Sequence, residues 1–431
     1  MSTPSLLNIP YRLKAGTLYS QLPETGAGDF TVTRTTTVAN QSTRINSLGN
    51  IELVADNVPR LDYPLGGAVN GCPALLVEPS AQNQCQRSEE FNNAFHIPFN
   101  LNAFGSGSVA NTTATRDPYG TNLADYIQEN SAAGVTHGII DIFAGNISGT
   151  TYTWSVFAKA AERTIINLFE NSGSASNATF NLTTGVATLN TGVSASMQNY
   201  GNGWWRCILT YTSTATGNHN VQIRLCNASG NSSYNGTGTQ GAYILGAQLE
   251  TGSVATSYIP TTTAAVTRSA DVISDTTATA LIGQTEGTLY LEAFIRKATD
   301  AIVFSIMDTG ITESVYLQSA LNGSLTANIR SSGTIITIAI LAANWSEGYH
   351  KVAIAYGAGT GNSAICIDGG IPVTGTVVNV PACNKVFLGS RPDVPGTLSI
   401  NDRIRAVAIY PNRIPNTAAP GVLSLATLTA P

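Results

Sequence analysis

At 431 residues the chain is too long for one ordinary core, and its net charge is −5 with only 11% Asp, Glu, Lys and Arg, against about a quarter in typical domains. Its ordinary 43% apolar content excludes a disordered polyelectrolyte, and the lack of a basic patch argues against a nucleic-acid-binding surface. The longest mostly apolar run, 335–343, is about half of what a membrane-spanning helix needs, so no membrane insertion is expected.

Residues 1–16 lack the apolar core of a signal peptide, because Asn8 and Pro10 interrupt the first apolar run. The chain therefore reads as made in a cytoplasm, although its uncharged, Thr-, Ser-, Asn- and Gly-rich composition resembles that of proteins living outside cells. Residues 1–85 consist of short apolar pieces between turns and hold too little regular pattern for a separate large core. They are expected to serve as an irregular N-terminal anchor that packs on a neighbour, either another copy or another protein.

Residues 86–262 predict a first β-sandwich. Strand patterns at 136–143, 152–159, 163–169, 178–182, 205–212, 221–226 and 243–248 are separated by Gly/Asn/Ser turns, a spacing typical of sandwiches and jelly rolls. Residues 263–431 repeat the theme with strands at 288–296, 301–307, 314–318, 325–330, 334–341, 351–356, 364–368, 385–388 and 403–410. Asn322-Gly323 and Asp368-Gly369 supply the strongest hairpin turns. The expected fold is therefore all-β, two tandem antiparallel β-sandwiches of jelly-roll type behind the anchor. Residues 243–248 are expected to close the first sandwich beside the strand carrying Trp205. Residues 257–260 are too apolar for a free linker and are expected to dock, leaving only 261–265 with linker composition.

Six cysteines fall into three local pairs, Cys72/Cys85, Cys207/Cys226 and Cys366/Cys383. Strict alternation sends Cys207 inward and Cys226 outward, so that pair cannot bridge without a register slip. Free thiols are expected, as in a reducing compartment, with Cys72/Cys85 left open.

Three blocks carry a resemblance. Residues 14–20, 43–46, 57–63 and 72–79, the last reading Cys-Pro-Ala-Leu-Leu-Val-Glu-Pro, resemble the start of a group of bacteriophage structural proteins. Residues 152–159, 203–206, 246–250 and 257–261 resemble that group's jelly-roll, carbohydrate-binding-module-like domain. Trp345 with 348–354, 367–369 and 404–410 is similar to concanavalin/laminin-G-like domains. The resemblance implies a tail-fibre, spike or head-fibre protein of the virion, exposed on the particle and commonly a homotrimer. It implies contacts with other virion proteins through residues 1–85 and a host-surface glycan as ligand. A decoration protein without a host ligand and a glycan-cleaving spike are the alternatives.

Residue chemistry favours binding over catalysis. The four histidines show no metal-ligand spacing with another His or Cys, no Ser sits in a nucleophile-elbow context, and nothing calls for a cofactor or metal. The acids that glycosidic cleavage would need as a facing pair are scattered, at Glu162, Glu170, Glu250, Asp308, Glu313 and Asp368. A sugar site needs an aromatic face among planar polar groups. With Trp205 facing inward, Trp204 and Arg206 share the opposite face, and Arg224 joins them from the next strand in the same register. Trp204, Arg206 and Arg224 are thus the candidate ligand cluster. The competing reading has Trp204 closing the sandwich rim or lying under the N-terminal segment.

Overall fold

The computed structural model describes residues 3–10, 13–14, 16–65, 71–101, 114–297, 299–310, 312–390, 398–417 and 422–429. Among these the regular structure is β-strand, apart from two short 3-10 turns and the five-residue helix Leu425–Thr429.

The first sandwich has two antiparallel sheets. One is six-stranded, in the order Ile97–Phe99, Gly138–Asn146, Gly217–Leu225, Ile165–Glu170, Asn177–Asn181, Val186–Thr191. The other is five-stranded, in the order Asp125–Gln128, Gly241–Thr251, Thr151–Ala160, Trp204–Thr212, Ser194–Asn199. Alternating residues of both sheets, among them Trp154, Val156, Ile166, Leu168, Leu209, Tyr211, Val221 and Ile223, are withdrawn from water into one core. Trp205 packs against this core as expected, over a glycine. Gly185 has φ +72°, and a Cβ there would lie 2.2 Å from the Trp205 ring, so both backbone and space require glycine.

Two expectations for this sandwich need correction. Gly241–Thr251 does not pair with the strand of Trp205; it pairs with Thr151–Ala160 and Asp125–Gln128, one position in from the sheet edge. The strands Trp204–Thr212 and Gly217–Leu225 lie in different sheets, because residues 213–216 cross from one layer to the other. Both apolar sets do face the core. They face it from opposite sides, so the two outward sets point in opposite directions.

The second sandwich pairs an eight-stranded with a nine-stranded sheet, and the N-terminal segment is woven into both. Leu6–Asn8 pairs with Asp402–Tyr410, Leu6 lying opposite Ile409. Arg60–Asp62 and Ala74–Val77 extend the same sheet beyond Asp402–Tyr410. Phe30–Thr33 joins the other sheet beside Val272–Asp275. Leu6, Leu18, Phe30, Leu75 and Val77 are buried in one core with Leu289, Ile306, Val386 and Val407. Where the sequence reading had residues 1–85 packing on a neighbouring molecule, these strands pack on the chain's own second sandwich. Trp345 plugs that core, its Nε1 donating to the Gly323 carbonyl at 3.0 Å.

The first sandwich thus leaves and re-enters the second through two paired strands, Ala81–Asn83 and Val266–Arg268. The 257–260 turn is docked as expected, with Tyr258 and Ile259 buried. All six cysteines are free thiols, including the Cys72/Cys85 pair left open, with Cys72 exposed and Cys85 buried.

A buried acid in the first sandwich gives a pH prediction. The Asp125 carboxyl accepts the Phe91 N–H at 3.0 Å, its other oxygen has no partner among the described residues, and burial raises its pKa to about 7. A folded pKa above the ordinary 3.8 means stability that is complete below pH 3.8 and lost as pH rises towards 7. Asp125→Asn, which keeps the shape without the charge, is expected to remove this loss. Its urea midpoint should exceed that of the wild type at pH 8 by more than it does at pH 4.

Candidate glycan face and buried joint

The structure separates the three candidate residues. Trp204 and Arg206 lie on the outer side of the five-stranded sheet, but that side is covered. Trp204 is 1% exposed and packs with Ile45, Ile51, Ala124, Phe157, Leu245 and Tyr258, while its Nε1 donates to the Arg116 carbonyl at 2.7 Å. Arg206, 2% exposed, donates to the Thr256 carbonyl at 2.6 Å and to Ser155 Oγ, with Glu250 4.0 Å away. The expected outward trio is therefore not one cluster: the N-terminal hairpin of Ser42–Ile45 and Ile51–Val54 and the 257–260 turn cover two members, and the third faces the other way.

The ions below Arg206 form the joint between the sandwiches. Arg34, Arg60 and Arg268 surround Asp271 and Glu78, all five buried. Arg34 Nη1 lies 3.0 Å from Asp271 Oδ1, and Arg60 bridges Asp271 and Glu78, 2.6 Å from the latter. Arg268 Nη1 lies 2.7 Å from Glu78, and Ser257 Oγ donates to Glu78 at 2.7 Å. Burial by itself would raise both carboxyl pKa values. The guanidiniums outweigh it, Arg268 and Arg60 at Glu78 and Arg60 and Arg34 at Asp271, and hold both below the ordinary range. These side chains come from residues up to 237 positions apart, so the joint is one electrostatic unit assembled from the N-terminal segment, the connector and the turn at 257–260.

Arg224 lies on the outer side of the six-stranded sheet, which faces solvent. Cross-strand pairing sets Arg224 beside Asn167 and Thr179 in one row, and Gln222 beside Phe169 and Asn177 in the next. Ile140 continues the second row and Asn220 pairs with Ile142, 44% exposed, so one flank is apolar. The Arg224 guanidinium stacks 3.5 Å over the Phe169 ring, and its Nε donates to Gln222 Oε1 at 2.8 Å. Gln222 Nε2 donates to Asn220 Oδ1 at 3.1 Å, and Asn190 Nδ2 to Asn177 Oδ1 at 2.8 Å. Asn167 Nδ2 donates to the Ala178 carbonyl at 3.0 Å. The result is an aromatic–guanidinium platform amid five planar amides, fixed on a sheet whose reverse side is core. Such a surface offers stacking to sugar C–H groups and directed hydrogen bonds to hydroxyls.

Phe169, Asn167, Gln222 and Asn177 were absent from the sequence candidates. For Asn167 and Phe169 the signal was present in 165–170, where they alternate with the core residues Ile166 and Leu168.

No family model matches the chain, and no curated protein matches it. Among solved structures, the Ruminococcus gnavus IT-sialidase CBM40 bound to α2,3-sialyllactose is 14% identical, covering 36% of this chain and 86% of that one, with a TM-score of 0.30. The K499G mutant of the NanB sialidase from Streptococcus pneumoniae is 13% identical over 32% of this chain, which spans 24% of the sialidase chain, with a TM-score of 0.28. Domains LG4-5 of the mouse laminin α1 chain are 10% identical, covering 67% of this chain and 94% of that one, with a TM-score of 0.25. At such scores these likenesses carry no argument about ligand or activity, and the β-sandwich architecture rests on the sheet pairings themselves.

Proposed function

We propose that the chain is a bacteriophage virion appendage protein, of the tail-fibre, spike or head-fibre kind, that attaches the particle to a host-surface glycan through the outer face of its six-stranded sheet. The observation that carries the glycan part is the Phe169–Arg224 platform set among Asn167, Asn177, Asn190, Asn220 and Gln222 on a solvent-facing sheet. The virion part is supported by the resemblance of the blocks 14–20, 43–46, 57–63 and 72–79, and of 152–159, 203–206, 246–250 and 257–261, to phage structural proteins, and by the low charge. With the N-terminal strands folded into the second sandwich, contacts with other virion proteins would use the surface that this sandwich leaves open. A homotrimer, or any array of several copies, would turn weak single-site binding into firm attachment by avidity.

The test is Phe169→Ala, screened on an array of bacterial surface polysaccharides. Loss of one stacking ring is expected to weaken each site by about 1 kcal/mol, roughly fivefold, and avidity amplifies that on a particle. Phe169 is half-buried, so the thermal midpoint should stay near wild type. Undiminished binding would remove this face as the glycan site, and wild-type adsorption of particles carrying the variant would leave the decoration-protein reading in its place.

A further inference from the structure

Resting on that reading of the face, we infer that its ligand is an acidic glycan, with the sugar carboxylate received by Arg224 and a neighbouring hydroxyl by the Asn167 side-chain carbonyl.

Two observations lead there. The first is a cation without a counter-ion. Among the described residues Arg224 has no carboxylate within 4.0 Å, and its one side-chain hydrogen bond is from Nε to the neutral amide of Gln222. In the same sandwich, Arg163 sits 2.7 Å from Glu129 and Arg87 2.6 Å from Glu90. The two terminal nitrogens of Arg224 thus hold a free donor fork above Phe169, the geometry that takes a carboxylate in two parallel hydrogen bonds. Burial without a compensating anion lowers the guanidinium to about 10, a cost that a bound carboxylate would relieve.

The second is an acceptor without a donor. Asn167 is 5% exposed, and its Oδ1 has no hydrogen-bond partner, although its Nδ2 is satisfied. Alternation between the core residues Ile166 and Leu168 puts it on the outer face, directly across from Arg224 on the next strand. Neighbouring strands are about 4.8 Å apart, a span that one sugar ring bridges. A donor fork and a buried carbonyl acceptor on adjacent strands of one face suit a carboxylate and a hydroxyl of the same ligand. The amides of Gln222 and Asn177 in the next row, with Phe169 between them, meet the adjoining residue of the chain.

The experiment measures binding of the full chain, its Arg224→Gln, Arg224→Lys and Phe169→Ala variants, to an array of neutral, carboxylated, sulfated and phosphorylated glycans, with carboxyl-reduced counterparts of the acidic polymers. The expected result is binding to carboxylated glycans that carboxyl reduction abolishes and that weakens steeply with added salt. Arg224→Gln should lose tenfold or more in affinity, Arg224→Lys should keep part of it, and neither should lower the thermal midpoint. Binding to neutral glycans that Phe169→Ala abolishes and Arg224→Gln leaves intact would overturn the acidic class and leave the face standing. Selectivity for sulfated or phosphorylated glycans alone would likewise overturn the carboxylate assignment. Binding by none of the array would overturn the acidic class and the glycan reading together.

Discussion

Asp271→Ala is expected to lower the stability of the folded chain by about 3–5 kcal/mol, the usual cost of removing one partner from a buried ion pair. Asp271 holds two guanidiniums, Arg34 and Arg60, both withdrawn from solvent, and also accepts the Glu78 N–H at 2.9 Å. Without its carboxylate, Glu78 is left alone against three buried cations. The loss should appear as a lower urea midpoint and as new proteolytic cleavage within residues 34–57, where Arg34 also binds Ser42 and the Ala55 carbonyl. Arg405→Ala breaks the exposed pair with Glu292 at 3.4 Å and provides the contrast, at about 0–1 kcal/mol. Equal effects from the two variants would mean that the joint is not an energetic unit. The same carboxyls make the joint acid-sensitive. Their folded pKa values are depressed, so their contribution is complete above the ordinary values of 4.5 and 3.8 and is lost as pH falls below them.

The second large effect is at Trp204. If Trp204 belonged to a ligand cluster, Trp204→Ala would abolish binding and spare stability; the competing reading, Trp204 lying under the N-terminal segment, is the one the structure shows, and it predicts the opposite on both counts. The side chain is buried between the five-stranded sheet and the N-terminal hairpin, and truncation of a buried Trp typically costs about 3–5 kcal/mol. It also leaves the Arg116 carbonyl without its indole donor. Phe169 and Arg224 lie across the whole sandwich, about 10 Å of core away, and should be undisturbed below the unfolding transition. A thermal scan and a binding isotherm on the one variant decide the matter: a large drop in midpoint with unchanged affinity is expected. Lost affinity at an unchanged midpoint would return Trp204 to the ligand cluster.

The contrast shows what alternation can and cannot tell. Apolar periodicity located strands 301–307 and 385–388 with the bounds the structure has, and it assigned Leu209, Tyr211, Val221 and Ile223 correctly to the core. It could not tell whether residues 213–216 turn within a sheet or cross between sheets, because both choices bury the same side chains. That single ambiguity moved Arg224 away from Trp204 and Arg206. The edge strands Val186–Thr191 and Ser194–Asn199 went unread because almost every residue in them is polar or small and partly exposed. Pairing of Leu6 with Ile409 was beyond reach for a different reason: strands of three residues carry too little pattern to announce a partner some 400 positions away. The joint was half legible. Arg60, Glu78 and Ser257 all sit in blocks that resemble phage proteins, yet nothing local says that they meet.

The doorway formed by Ala81–Asn83 and Val266–Arg268 has a consequence for how such a molecule can vary. Asn83 and Val266 are paired neighbours, so the chain departs from the second sandwich and returns to it one strand spacing apart. Residues 84–265 could therefore be exchanged, without rethreading the strands on either side, for a domain whose two ends lie equally close and which replaces the contacts of Ser257 in the joint and the cover over Ile45 and Ile51. A frame of this kind can keep its own contacts while the inserted domain is replaced wholesale, so a change of exposed surface requires one insertion, not a new protein.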